Sequence, residues 1–277
     1  MPSTFDAAAL DDPAVLDALT DLAIEAAEAI SRVAQGDIAV QLKADESPLT
    51  AADSASEAVL LPGLARILPG VPVVSEESAD AAPVFDPNAI FVLVDPLDGT
   101  REFIAGRDEY VVCIAVIVGG VSTVGVIAAP ALRQVWRGVR GRGATRLSYA
   151  NGKRGAPEPI STRGWQSDAP KGLVSRSHLD KDTAAWVARI DNLNHEPCGS
   201  ALKFCRLAEG AADVYARLAT TCEWDMAAGD ALVAAAGGTV TDPNGAPLAY
   251  GKAGANFRIP ASIAFGDRAA AQRLVRG

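Results

Sequence analysis

Asp95, Asp98 and Thr100 stand within six residues of one another, directly after an apolar run at residues 89–94. Pro96 presets a turn between the two aspartates and removes a backbone donor. The turn brings the carboxylates together, and two like charges that close cannot both ionise comfortably without a cation between them. Hard oxygen ligands of this kind select Mg²⁺ or Mn²⁺ over Zn²⁺. Gly99 then permits close backbone approach, and Thr100 can open a helix whose free N–H groups attract an anion such as phosphate. The same residues also fit an ordinary Asx-type turn that closes a core strand with both aspartates solvated. Taken locally, the two readings stand side by side.

Such a site needs elements to hold it. The run at 89–94 lacks alternation, which suits a strand covered on both faces, although periodicity alone does not separate it from a helix. Asp12-Pro13 is a cap followed by a first-turn proline, and Leu16, Leu19, Ala23, Ala26, Ile30 and Val33 repeat at helical spacing up to Gly36. Thr50-Ala51-Ala52-Asp53 is a capping box that opens a second helix towards residue 67. Residues 71–74 predict a short strand with Pro72 at an edge or a start, and it delivers Ser75-Glu76-Glu77 at its end.

The runs 110–118 and 121–128 around Gly119-Gly120 predict a hairpin, and 134–139 another strand. Residues 141–159, rich in Gly, Asn and Pro, predict a boundary between halves. Beyond it, strands at 172–174, 214–217 and 239–241 alternate with helices at 182–190, 200–211 and 226–236. That alternation predicts an α/β class.

The chain of 277 residues, 49% hydrophobic and 21% charged, has the means to bury a substantial core. Its formal net charge of −9 opposes binding to a nucleic acid polymer, and no Lys/Arg-rich run offers a polyanion groove. Cys113, Cys198, Cys205 and Cys222 form no CxxC pair and read as buried free thiols of a reducing compartment. His178 and His195 are too few and too far apart for a zinc site. With no signal sequence at the start and no stretch of transmembrane length, the expectation is a soluble cytoplasmic protein.

Asp95-Pro96-Leu97-Asp98-Gly99-Thr100 is accompanied by Glu76-Glu77 upstream and by Trp224-Asp225-Met226-Ala227-Ala228-Gly229 and Gly237-Gly238 downstream. In this order the motifs resemble those of the lithium-sensitive, Mg²⁺-dependent phosphatases, the inositol monophosphatase and fructose-1,6-bisphosphatase superfamily. Lys43 to Asp53, Gly99-Thr100-Arg101-Glu102-Phe103, Ser175-Arg176-Ser177-His178 and Gly199-Ser200-Ala201-Leu202-Lys203-Phe204 are similar to the CysQ-type 3′(2′),5′-bisphosphate nucleotidase branch. Glu102 favours that branch, because inositol monophosphatases usually carry Asn there. Ala201 departs from it, since a second serine is more usual, and lacks the hydroxyl that would make one substrate hydrogen bond.

The resemblance implies a layered αβαβα sandwich. An N-terminal α+β half, residues 1–150, would carry most metal ligands, and a C-terminal α/β half, 151–277, would supply Asp225 and substrate contacts. It implies two or three Mg²⁺ ions, replaceable by Mn²⁺. Glu76, Asp95 and the Leu97 carbonyl would hold one ion, and Asp95, Asp98 and Asp225 a second. Thr100, hydrogen-bonded to Asp53, would act with Glu76 in catalysis. Gly99 and Thr100 would bind phosphate oxygens, and Arg176, Ser200 and Lys203 the rest of the substrate.

The implied activity removes the 3′-phosphate from 3′-phosphoadenosine 5′-phosphate, clearing a by-product of sulfate assimilation, in a monomer or homodimer. An inositol monophosphatase-like or broad sugar-phosphate phosphatase is the near alternative. An inactive metal- and phosphate-binding regulator is a remote one, because no metal carboxylate is missing. From the residues alone, capping explains Asp53, Asp225 and Ser200 equally well, Trp224 fits a core position, and Arg176 and Lys203 fit solvated surface charges.

Overall fold

A computed structural model describes residues 5–36, 40–42, 48–81 and 85–276; the similar stretch 43–47 lies outside the described residues. Seven α-helices are found among these: α1 Pro13–Val33, α2 Ala51–Ile67, α3 Thr100–Ile104, α4 Lys181–Val187, α5 Leu202–Ala208, α6 Glu223–Ala235 and α7 Arg268–Arg276. A short ladder pairs β1 (Val40–Leu42) with β2 (Pro48–Thr50).

The large sheet is built from β3 (Val73–Ser75), β4 (Ile90–Asp98), β5 (Val111–Val118), β6 (Val121–Ala129), β7 (Gln134–Val139), β8 (Gly143–Ala150), β9 (Lys153–Arg154) and β10 (Glu158–Ile160). Its order is β10-β8-β7-β6-β5-β4-β3, with β9 beside β8, and only the β3–β4 pair is parallel. The second sheet comprises β11 (Lys171–Ser175), β12 (Asn194–Cys198), β13 (Val214–Arg217), β15 (Thr239–Thr241) and β17 (Ser262–Phe265), in the order β12-β11-β13-β17-β15. A two-residue pair joins β14 (Thr221–Cys222) to β16 (Arg258–Ile259).

The missing alternation in β4 has a direct cause. Val92 and Val94 belong to one core with Leu19, Ile30 and Leu60 of α1 and α2, whereas Phe91 and Leu93 belong to another with Phe204, Met226 and Leu232 of α5 and α6. Side chains alternate between faces, so both registers must be apolar. The α5–α6 core continues onto Leu173, Tyr215 and Ala264 of the second sheet. The far face of that sheet, with Val214, Ile263 and Phe265, packs on Trp186 of α4 and Ala271 of α7. The layers are therefore helix, sheet, helix, sheet, helix, as the resemblance implied.

Caps set the helix starts as expected. Asp12 accepts from Ala14 N–H, and Thr50 and Asp53 form a reciprocal capping box. The hairpin at Gly119-Gly120 has positive φ at both residues (58° and 74°), the conformation a tight two-residue connection needs. Two expectations need correction. β4 does not stop before Pro96 but runs on to Asp98, with a register shift between Asp95 and Asp98, so the proline sits where a ladder donor is not required. The turn-rich stretch 141–159 holds β8, β9 and the start of β10, and the large sheet runs past residue 150 to Ile160. Its Gly and Asn residues serve the tight turns between short strands, at Gly141, Gly143, Asn151 and Gly152, all with positive φ.

Candidate active site

The irregular end of β4 makes the floor of the site. Asp95 is 2% exposed, and its Oδ1 accepts from Leu97 N–H at 2.9 Å, which closes an Asx-type turn inside the strand. The Pro96 carbonyl is held from behind by the buried Ser56 hydroxyl of α2 at 2.7 Å. Glu76 begins a 3₁₀ turn immediately after β3, beside β4 in the sheet. Asp225 occupies the third position of α6, not the cap position, and accepts from the Cys222 N–H (3.0 Å) and from the Thr221 hydroxyl. The Ser122 hydroxyl seats α6 on the large sheet through the Ala227 carbonyl at 2.7 Å, and Glu223 pins its first residue to the N–H groups of Gly251 and Lys252 (2.6 and 2.9 Å).

One oxygen from each of Glu76, Asp95 and Asp225 lies within 4.8 Å of the others. Burial drives the Asp95 carboxyl well above the usual range, and the charges of Glu76, Asp98 and Asp225 add to the rise. Burial, then Asp225, push Asp98 up to about 7, against the opposing pull of Lys203 and of the Ala201 N–H on its Oδ2 at 2.5 Å. Carboxylates forced together in this way are stabilised as anions by a shared cation. An all-oxygen donor set suits a hard divalent ion that keeps several waters. The residues present therefore fit the metal expected. Asp98 lines the same cavity but stands outside the group of three.

Gly99 turns the chain from β4 into α3 with φ 97°, and a Cβ there would lie 2.8 Å from the Glu109 carbonyl. The Thr100 hydroxyl sits 3.3 Å from Asp53 Oδ1 and 3.2 Å from the Leu97 carbonyl. Asp53 is 1% exposed, and its Oδ2 is occupied by Thr50 N–H and Thr50 Oγ at 2.8 and 2.7 Å. The capping box thus leaves Oδ1 aimed at Thr100.

These groups face a cavity of about 240 Å³ whose wall includes Arg101, Glu102, His178, Ser200, Ala201, Lys203, Tyr215 and Arg217. Lys203 is no surface charge. It is 3% exposed, donates to the carbonyls of Cys198 (3.1 Å) and Ser200 (2.6 Å), and lies 5.0 Å above the Tyr215 ring. Ser200 has φ 49° and its hydroxyl accepts from Leu202 N–H at 3.2 Å, while Ala201 occupies the N-cap position of α5 without a side-chain bond. The absent hydroxyl at Ala201 leaves its backbone bond to Asp98 intact.

Arg176 is a correction. It does not line the cavity, because its guanidinium turns outward and both ends of the fork are taken by Glu109 at 2.6 Å, with a further bond to the Pro197 carbonyl. Arg217 was not anticipated. It ends β13 as the single basic residue of an otherwise apolar strand segment, a signal the sequence did carry, and its buried Nε has no hydrogen-bond partner among the described residues. The Cys113, Cys198 and Cys205 thiols are buried and free, and Cys222 is free and half-buried.

A family model described as the inositol monophosphatase family matches residues 11–272. The 3′(2′),5′-bisphosphate nucleotidase CysQ of Escherichia coli (strain K12) is 38% identical over 238 residues, which cover 85% of this chain and 94% of that protein. A histidinol-phosphatase of Mycobacterium tuberculosis is 34% identical over 256 residues, with 87% and 91% covered. Among solved structures, CysQ from Bacteroides thetaiotaomicron aligns with a TM-score of 0.75 at 32% identity, over 91% of this chain and 97% of that one. An inositol monophosphatase from Anabaena aligns with a TM-score of 0.74 at 27% identity, over 95% and 94%.

Proposed function

The chain belongs to the inositol monophosphatase family, and from that premise we propose that it is a Mg²⁺-dependent phosphomonoesterase that hydrolyses the 3′-phosphate of 3′-phosphoadenosine 5′-phosphate to AMP and phosphate. The observation that carries this reading is the pairing, in one cavity, of a carboxylate floor with the basic wall of Lys203 and Arg217. A monophosphate on the floor leaves those cations unmatched. A substrate with a second phosphate satisfies both, and Arg presents a fork suited to phosphate oxygens.

Glu76, Asp95 and Asp225 would hold Mg²⁺, with Asp98 and the Leu97 carbonyl as further ligands beside them. When bound, the ion neutralises phosphate charge and lowers the pKa of an attacking water. The chain's own residues do the positioning. The Thr100 hydroxyl has one proton and two acceptors at hand, so it donates to one and keeps a lone pair for the water. Asp53 Oδ1, fixed by the capping box, receives the proton through Thr100. A relay of this type contributes about 10²–10⁴-fold. The Gly99 and Thr100 N–H groups at the start of α3 face the phosphate oxygens.

The reading carries with it a small-molecule substrate and a cytoplasmic site of action; no described helix is long and apolar enough to cross a membrane. Parallel phosphate-release assays on 3′-phosphoadenosine 5′-phosphate, its sulfated analogue, inositol 1-phosphate and histidinol phosphate test it. A kcat/KM highest for the bisphosphate or its sulfated analogue supports the proposal. Preference for either monophosphate refutes it and favours the phosphatases named among the relatives.

A further inference from the structure

Two consecutive residues after β11, Arg176 and Ser177, are each gripped by a glutamate from the segment that follows the metal-ligand turn. Ser177 Oγ donates to Glu102 at 2.5 Å, and the Arg176 fork closes on Glu109 with two bonds of 2.6 Å. Glu109 also accepts from Gly199 N–H at 2.8 Å, and Arg176 reaches the Pro197 carbonyl at 2.7 Å. The strap 199–201 passes between the two glutamates so tightly that a Cβ on Gly199 would lie 2.7 Å from Glu102 Cγ and 2.9 Å from Glu109 Cβ. From there the strap delivers the Ala201 N–H to Asp98 and the Ser200 carbonyl to Lys203 Nζ.

We propose that Glu109 and Arg176 form a latch that sets the position of the 199–203 strap over the metal-ligand turn, so that Arg176 is a positioning residue which never touches substrate. Neither residue lines the cavity, whereas Ser200, Ala201 and Lys203 do. A bidentate guanidinium–carboxylate pair is the geometrically most demanding ion pair available, and it is here only about a third exposed on the arginine side. Opening it frees Gly199 N–H, the strap and Lys203 together. The substrate's second charged group then meets a mobile cation in place of a fixed one, and binding suffers more than turnover.

The inference rests on the phosphatase reading of the cavity, and a double-mutant cycle separates the two. In the latch, Arg176→Ala, Glu109→Gln and the double variant each raise KM for 3′-phosphoadenosine 5′-phosphate by a similar factor, about tenfold, with kcat within about twofold of wild type. Arg176→Lys, which keeps charge but not the fork, lies nearer to Arg176→Ala than to wild type. If Arg176 instead contacted phosphate, Glu109→Gln would leave it free to do so and KM would hold or fall, an outcome that overturns the proposal. Single effects that multiply to about a hundredfold in the double variant overturn it as well. Calorimetric titration with the bisphosphate in a Thr100→Val background, where turnover is slowed, gives the same cycle as binding constants. A wild-type protein that binds the bisphosphate but does not hydrolyse it would defeat the functional reading while leaving the latch testable by titrating the same variants with that ligand.

Discussion

Asp98→Asn probes the electrostatic argument for the site most directly. In the metal-free protein, burial and Asp225 hold the Asp98 carboxyl at about 7, against an ordinary value of 3.8. Its folded pKa exceeds its unfolded one, so the folded state binds the proton more tightly and stability falls as pH rises from about 4 through 7. At about 1.36 kcal/mol for each tenfold change in proton affinity, the full cost above pH 7 is on the order of 4 kcal/mol. Asn keeps an oxygen for the Ala201 N–H and removes the charge. Thermal unfolding in chelator at pH 5, 6, 7 and 8 should therefore show wild type losing Tm across the series, and Asp98→Asn losing less of it. At about 2–4 °C per kcal/mol, the variant should melt several degrees above wild type at pH 8 without metal. Mg²⁺ should raise the wild-type Tm most at pH 8, where the carboxylates most need a counter-charge. A metal-free wild type whose Tm rises from pH 5 to 8, or an Asp98→Asn protein less stable than wild type at pH 8, would refute the reasoning.

Two further expectations concern the proton relay and the cavity wall. Thr100→Val removes the hydroxyl at nearly constant volume and should lower kcat by about 10²-fold or more with metal affinity retained, as followed by steady-state kinetics and Mg²⁺ titration. A kcat within a few-fold of wild type would sink the relay through Asp53. Lys203→Met should raise KM for the bisphosphate by about tenfold to a hundredfold, the loss of one charged hydrogen bond, while changing inositol 1-phosphate hydrolysis much less. Equal losses on both substrates would show that Lys203 supports the strap only.

How much was legible varies element by element. Thr50-Ala51-Ala52-Asp53 and Asp12-Pro13 declared their helices because capping is chemistry among neighbours, and both caps occur as read. Gly119-Gly120 declared its hairpin for the same reason, since only a two-residue turn with positive φ joins those strands without splaying them. β12 was illegible: Asn194–Cys198 carries no strand pattern, and it is a strand because the parallel edge of β11 offers it partners. The short strands β8 to β10 were hidden by turn residues whose role is to connect them. Lys203 illustrates the limit in the site itself. Its sequence neighbourhood fits a surface charge, and only the packing of α5 against β13 buries it over Tyr215.

The sequence by itself determined the chemistry on offer. Carboxylates at 76, 95, 98 and 225 and a hydroxyl at 100 are identities, and their hard-ligand character needs no fold to be recognised. The tertiary structure decided which of them meet. The parallel β3–β4 pair places Glu76 beside Asp95, and the seating of α6 through Ser122 brings Asp225 from more than a hundred residues away into the same 4.8 Å group. It also decided that Arg176 grips Glu109 and that Arg217 faces the cavity. Arg217 closes an apolar strand while Arg176 follows one, a local difference that marks Arg217 as unusual but does not name what either guanidinium meets. Direction in space comes from which sheet face a side chain leaves and what is packed there, and that information exists only once the layers have closed.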